Sequence, residues 1–512
     1  WATRIWRVIQ VLKNVSLNYV TRVQDDLGGI EPAAWDDLLA RQDAPSPFMR
    51  HAYLSAMQTS QSATPETGWT LQVISLWRDT PQGVVLAAAC PLYLKTHSRG
   101  EYVFDHAWAD AYERHGLPYY PKALVASPFT PVPGSRLLAE SDAARQALLN
   151  SLLELCQTNA IPSLHILFGS PKDLRACEQA GLLQRGQVQF HWQNQGWRDF
   201  DDFLSSLTQE KRKKIRQERR KVHQAGVTFR AVRGPDMSEA DWALLLRCYQ
   251  QTYWEHGNAP YLTPAFFEAM RTDMPKHWLL FVAERAGQAI GISLIGLHLD
   301  AQGQAEVAYG RYWGALERVD CLHFEACYYQ PIEWCIAQGV QRFEGGAQGE
   351  HKMARALLPT PTHSAPICSR PLSSTCIATS RCVDSRRCLA ASRSQGTQAP
   401  SEPSRGQLAP PSASKVARVE TVASPSGVVK RSRCTRKGPS GVWNQGWKAV
   451  TSSMSSGFRS LPCSTAAIRA ALSMAARGRL PATVRALQPT ESPKRLSRGG
   501  FAPDVLHAAV HE

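Results

Sequence analysis

Three places in this chain gather side chains that can move protons or hold charge. Between residues 105 and 115, Asp105, His106, Trp108, Asp110, Tyr112, Glu113 and His115 crowd carboxylates, imidazoles and rings into one strand-to-loop transition. A carboxylate or imidazole there can deprotonate an amine or hold its ammonium form. Asp105 and His106 are therefore candidate catalytic groups, and Asp110, Tyr112 and His115 candidate substrate contacts. A hydrogen-bonded structural loop explains the same residues. His106 and Asp110 could converge on a metal, but no third ligand follows at a defined spacing, and no metal is expected.

The second place is the loop opened by Gly345, Gly346 and Gly349, which carries Gln348, Glu350, His351 and Lys352. Glycine backbone lets a ligand approach closely there, or it simply ends a strand. The third is QEKRKKIRQERRKVHQ, where eight basic residues between Lys211 and Lys221 face only Glu210 and Glu218. Such a surplus suits CoA phosphates, a lipid diphosphate or an RNA backbone, with Lys211, Lys213, Arg216 and Arg220 as candidate donor or anion contacts. An ordinary solvated helix face is the other reading. His323 and Cys327 stand four apart on one helix face, which a buried apolar face explains better than a thiol nucleophile. No nucleophile elbow, Walker loop or dinucleotide glycine pattern occurs, and GISLIG at 291–296 has the wrong spacing for G-x-S-x-G.

The elements that must position these groups repeat. LQVISLWRD, VVLAAACPLYLK and EYVFDHAW, separated by turns at Pro81–Gly83 and Ser98–Gly100, read as a three-strand meander. A helix over Ser141–Gln157, a strand over Ser163–Gly169 and a helix from Pro171 to Gly181 follow. From Trp278 the order recurs as LLFVAER, AIGISLIGLHL and QAEVAYGRYW, a helix over Leu322–Gln338, the strand VQRFEGG and a helix over about Glu350–Leu357. Two copies imply a tandem duplication of an α+β unit.

Charge divides the chain differently. Of its 512 residues, Pro366–Glu512 carry 22 Lys and Arg against 6 Asp and Glu, which accounts for the whole net charge of +15. That tail is rich in Ser, Arg, Pro and Ala, lacks Tyr, and is expected to be disordered. Its six cysteines suit a shifted reading frame better than an evolved basic arm. Trp1–Asn14 reads as upstream translation before an initiator at Val15, or as a short membrane-surface leader. No apolar run nears the ~20 residues of a spanning helix, so integral membrane association is not expected. The seven cysteines before residue 365 show no CxxC and fit a reducing cytoplasm.

The duplicated meander, the basic helix SLTQEKRKKIRQERRKV and the blocks GEYVFDHAWADAYERHGLPYYPKALVASPFTPVPGSRLL and HFEACYYQPIEWCIAQGVQRFEGGAQGEHKMARALLPT together resemble the FemAB-like branch of the GNAT N-acyltransferase superfamily, over about Leu17–Ala365. The resemblance implies tandem GNAT-like domains, each a mixed, mainly antiparallel sheet with flanking helices: residues 15–198 and 227–365, joined by a basic helix at 199–226, the second domain lacking its closing segment. It implies a bacterial N-acyltransferase in which an amine attacks an acyl group carried by acyl-CoA or aminoacyl-tRNA. The acceptor would be a small-molecule amine or a peptidoglycan precursor, and a non-catalytic binding protein is the alternative from another class.

Lys352 stands where the Fem-type enzymes have a lysine able to hold a phosphate or the tetrahedral oxyanion. Tyr309 and Arg311 end the strand beside which GNAT folds splay to admit the acyl group. The substrate cleft is expected between the two copies, lined by the Asp105 block, the basic helix and the Lys352 loop. The chain departs from ordinary GNAT enzymes in their diphosphate loop: GRYWGALERVDCLHF offers only Gly310 and Gly314.

Overall fold

The computed structural model describes residues 12–14, 19–346 and 349–368. Gln348, the proposed initiator Val15 and the tail from residue 369 onward lie outside the described residues. The first half runs β1 (Leu12–Asn14), β2 (Tyr19–Gln24), α1 (Pro32–Ala40), α2 (His51–Thr59), β3 (Trp69–Thr80), β4 (Gly83–Lys95), α3 (His106–Arg114), β5 (Lys122–Val125), β6 (Leu138–Ala139), α4 (Asp142–Thr158), β7 (Ser163–Ile166), α5 (Pro171–Gln179) and β8 (Arg185–Gln193). Helices α6 (Phe200–Ser205) and α7 (Gln209–Gln224) lead to β9 (Val227–Arg233), α8 (Glu239–Glu255), α9 (Pro264–Asp273), β10 (Trp278–Arg285), β11 (Gln288–Leu299) and β12 (Ala305–Ala315). One helical stretch follows, α10 (Leu322–Phe324), a π-turn segment (Glu325–Tyr329) and α11 (Gln330–Ala337), then β13 (Arg342–Glu344), a 3₁₀ segment (Glu350–Arg355) and β14 (Leu358–Cys368).

Local chemistry sets many of these boundaries. Ser141 caps α4 by accepting from the Ala144 amide at 3.1 Å, and Ser170 with Asp173 forms a reciprocal capping box ahead of Pro171 at the first turn of α5. The basic segment is two helices because Thr208 caps α7 anew after α6 stops at Ser205.

The strands join in the order β1-β2-β3-β4-β5-β7-β14-β8-β13-β12-β11-β10-β9, with β6 beside β4. Each half contributes an antiparallel run whose last strand pairs in parallel, across a helix, with the next: β5 with β7 around α4, and β12 with β13 around α10–α11. The architecture is a GNAT-like fold in duplicate. The final strands are exchanged. β8, from the first half, pairs with β13 of the second, and β14, from the second half, pairs with β7 of the first through Ala365↔Ile166. β8 and β14 also pair with each other from Leu358↔His191 to Ser364↔Arg185, which fuses the halves into one sheet.

Four expectations change here. EYVFDHAW is not a strand: Tyr102 and Phe104 take left-handed backbone at φ 57° and 49°, which no strand accommodates, and α3 begins at His106. The third strand is the four-residue β5. The division at residue 198 separates β8 from the strands it actually pairs with. The segment called tail begins later than Pro366, because Pro366, Ile367 and Cys368 pair with His165, Leu164 and Ser163. Leu12–Asn14, expected to stand apart, pairs with β2.

One apolar core crosses the halves. Trp35, Phe48, Tyr53 and Phe129 of the first half pack in the same buried cluster as Tyr249, Phe266, Tyr309 and Tyr312 of the second. The rings of Phe129 and Tyr261 stack with centroids 4.6 Å apart.

Candidate active site

The second half opens where β12 and β13 part. Their parallel pairing covers only Val307–Tyr309 against Arg342–Glu344. β12 then runs on to Ala315, whereas β13 gives way to Gly345 and Gly346. A bulge marks the same point. Tyr312 faces Leu294 and Gly310 faces Ile295, so Arg311 has no partner of its own on β11. The cleft left between the strands is lined by Gly310–Trp313 on one side and Gly345 and Gly346 on the other, with His323, Cys327 and Tyr328 of the following helix beneath.

Lys352 stands beside this cleft, next to Gly346 and near enough to His323 and Cys327 for its charge to act on them. Its side chain is fully buried, and a Cβ added to Gly346 would stand 3.6 Å from its Nζ. It is not an exposed helix lysine. Burial together with neighbouring charges, Lys352 among them, lowers the imidazoles of His323 to about 3 and of His351 to about 4. Both are therefore neutral near pH 7. His351 Nε2 lies 3.4 Å from the Tyr328 hydroxyl. Burial pushes the Cys327 thiol up to about 12, which removes it as a nucleophile. Gln348 and the side chain of Glu350 lie outside what the structure describes.

Arg355 anchors the Lys352 segment to the basic helix. It is 2% exposed, donates to the His351 carbonyl at 2.8 Å and to Glu218 Oε1 of α7 at 2.9 Å, and lies 3.4 Å over the Phe324 ring. The Tyr329 hydroxyl donates to the other Glu218 oxygen. Lys214, four residues before Glu218 and thus on the same face of α7, is close enough for its charge to lower the His351 imidazole further.

The four basic residues singled out on this helix do not act together. Arg216 and Arg220 line an open groove of about 610 Å³ with Arg219 and His223, whereas Lys211 and Lys213 do not line it. The groove is mixed in charge. Arg219 donates to Glu325 at 3.1 Å and to Glu333 at 2.6 Å, and Arg216 stands 3.5 Å from Asp201.

The Asp105 block occupies a different site. Lys122 Nζ donates to Glu101 at 2.7 Å, to Ser98 at 2.9 Å and to Asp105, whose same oxygen accepts from the Tyr119 hydroxyl at 2.5 Å. The three charged groups are at most 3% exposed. Burial pushes the Glu101 carboxyl up to about 7, whereas for Asp105 burial is outweighed by the Lys122 charge, His165 and hydrogen bonds from Lys122 and Ser98 acting together, which hold the carboxyl well below the usual range. A base at Asp105 would first have to leave a buried ion pair. Tyr112 is buried against Tyr119, Asp110 and His115 are exposed, and His106 lines a small hollow with Arg99, Tyr102 and Tyr261. No residue of the block lines the cleft where β12 and β13 part, whose lining comes wholly from the second half.

Tyr309 and Arg311 also face inward. Tyr309 packs against Phe48, and Arg311 reaches the first half at Phe129 and Thr130. Both side chains are at most 5% exposed. Sequence reasoning missed Lys214, Glu218, Tyr328 and Arg355; the one available signal was an acid, Glu218, retained inside a basic run.

Gly314 serves packing: a Cβ there would meet the Cys248 carbonyl oxygen at 2.3 Å. The turn that follows carries Glu317 and Asp320 just ahead of α10. Among the described residues, no group of three His, Cys, Asp or Glu could hold a metal ion, and no helix is long and apolar enough to cross a membrane.

The duplicated fold, opened in its second half, defines the class, a tandem GNAT-like protein. A family model named FemAB-like and described as peptidoglycan biosynthesis/recognition matches residues 26–387. The chain belongs to the FemAB-like family. No curated protein matches it. Among solved structures, it resembles FemX at 10% identity and a TM-score of 0.42, covering 66% of this chain and 96% of that one. L-PGS from Bacillus licheniformis follows at 11% and 0.41, over 69% and 96%. A tandem GNAT protein from the clavulanic acid biosynthesis pathway is 12% identical at 0.36, over 69% and all of its length. With these scores below 0.5, the family assignment rests on the matched sequence model.

Proposed function

We propose that this chain transfers an aminoacyl group from tRNA to an amine of a peptidoglycan precursor, with the reacting carbonyl held in the Lys352 cleft. The observation that carries this reading is the buried Lys352 Nζ set beside Gly346, where β12 and β13 part. An amine attacking an ester carbonyl forms a C–N bond and a tetrahedral oxyanion. A fixed cation in a water-poor cleft stabilises that charge far better than solvent does. Collapse breaks the C–O bond to the ribose. The amine's proton passes through solvent to the departing oxygen, because the imidazole of His351, held down to about 4, is too weak a base to carry it.

Acyl-CoA is the second donor considered. Against it, Gly314 is used in packing and Glu317 and Asp320 flank the helix start that would have to hold a diphosphate. Steady-state transfer to muropeptide amines, with charged tRNA and acyl-CoA offered separately, tests the reading. Turnover with tRNA alone supports it, turnover with acyl-CoA alone replaces the donor, and no transfer from either favours a binding protein.

A further inference from the structure

The face of α7 that meets the Lys352 segment combines apolar packing, with Ile215 in the same buried cluster as Leu357, with a buried carboxylate, Glu218. Glu218 is 9% exposed, one of its oxygens accepts from Arg355 at 2.9 Å and the other from the Tyr329 hydroxyl. Arg355 in turn donates to the His351 carbonyl at 2.8 Å. The amides of Lys352, Ala356 and Leu357 close the same segment through bonds of 3.0, 3.2 and 3.2 Å to Gly349, Met353 and Lys352. Two hydrogen bonds and one short turn thus connect α7 to the residue beside the cleft. One helical turn earlier on the same face, Lys214 is exposed.

We propose that Glu218 is a positioning residue that couples the basic helix to Lys352, so that a phosphate-bearing donor held at Lys214 fixes the Lys352 segment in the cleft. This rests on the reading of Lys352 given above. A buried pair costs desolvation that a pair of apolar side chains would not, so stability alone is a weak reason for placing a carboxylate in a basic run. As a coupling it has a use: donor arrival on the outside of the helix is reported at the reaction centre before the amine is committed.

The test follows hydrogen exchange at the amides of Lys352, Ala356 and Leu357 in the full chain, with coenzyme A and unacylated tRNA added in separate arms. In the unaltered protein a bound anion should slow their exchange several-fold, within the roughly 5- to 150-fold span of site-to-site coupling. Glu218→Gln should still bind the anion but lose that protection, and it should lower kcat more than it raises KM. Glu218→Gln leaves Arg355 without its counter-charge, so the double variant Glu218→Met, Arg355→Met provides a second route that keeps the fold and removes the link. Loss of anion-induced protection in the folded double variant supports the coupling. Binding without added protection in the unaltered protein, or full protection in the folded double variant, overturns it while leaving the donor reading intact. Failure of both anions to bind the unaltered protein overturns the donor reading and the coupling with it.

Discussion

The guanidinium of Arg311, on a bulge of the second half, donates to the backbone carbonyl of Phe129 in the first half at 2.9 Å and to Thr130 Oγ1 at 3.2 Å. Among its described contacts no carboxylate balances it; the rings of Phe48 and Tyr312 lie beneath it at 4.8 and 5.2 Å. A residue whose position beside a splayed strand suggested substrate recognition therefore joins the two halves. Arg311→Met should destabilise the protein by about 1–3 kcal/mol, because the Phe129 carbonyl is left buried and unpaired. Urea unfolding at constant pH measures this, and an unchanged midpoint would return Arg311 to the list of substrate contacts.

Lys352→Ala should lower turnover by ~10²-fold or more, the range for losing one group that stabilises an oxyanion. Lys352→Met fills the same buried space without the charge and should lose as much. A near-normal rate in the Met variant would show that packing, rather than charge, is what the cleft requires of this position.

Replacing Lys211, Lys213, Arg216 and Arg220 together by Gln should weaken polyanion binding and flatten its salt dependence, while leaving stability within about 1 kcal/mol, since exposed charges contribute little. The structure divides the four, two on the groove and two off it. Separate pairs therefore locate the anion: a loss confined to Arg216 and Arg220 puts it in the groove. Binding that survives the fourfold change removes these four from the anion contacts and leaves Lys214 as the contact to test on α7.

Gly314→Ala should cost about 1–3 kcal/mol or more, because the added methyl meets a backbone carbonyl of α8 that cannot rotate away. Thermal unfolding reads it directly. A neutral result would mean that α8 can shift, and that the tight approach is not what requires glycine there.

His165 gives a pH signature. Burial, helped by the Lys122 charge and opposed by Asp105, lowers its imidazole to about 3. An unfolded histidine titrates near ~6.5, so between the two values the unfolded chain binds a proton that the folded chain refuses. Stability from this group is complete above about pH 6.5 and is lost as pH falls toward 3, at up to about 1.4 kcal/mol per unit. His165→Gln should flatten the decline in melting temperature between about pH 6.5 and 4 relative to the unaltered protein. Parallel declines would mean that His165 is protonated in the fold.

Much of the fold could be read from turn and capping residues. Ala286–Gln288 and Asp300–Gly303 separate β10, β11 and β12 as expected, and Ser141 and Ser170 announce α4 and α5. The first half misled where a local pattern met a distant partner. Tyr102 and Phe104 alternate like strand residues, but Asp105 is drawn to Lys122, seventeen positions on, and the backbone turns to bring it there. The exchange of β8 and β14 has no local signal at all, since either strand would suit either neighbour by composition. At the site, a lysine between histidine and methionine in a glycine-opened loop reads as surface. Only the closure of Arg355 onto Glu218, 137 residues away in sequence, places Lys352 inside.

The exchanged strands also govern how the protein is made. As the chain leaves the ribosome, β7 has β5 on one side and an open edge on the other until Leu358–Cys368 has been synthesised. β8 likewise waits for β13, so the half translated first is completed last. For that interval an unpaired edge is open to mispairing with other nascent chains, which is where a holding chaperone would act. Neither half could be released by gene fission as an independent protein, because a cut anywhere between them separates both final strands from the sheets they complete.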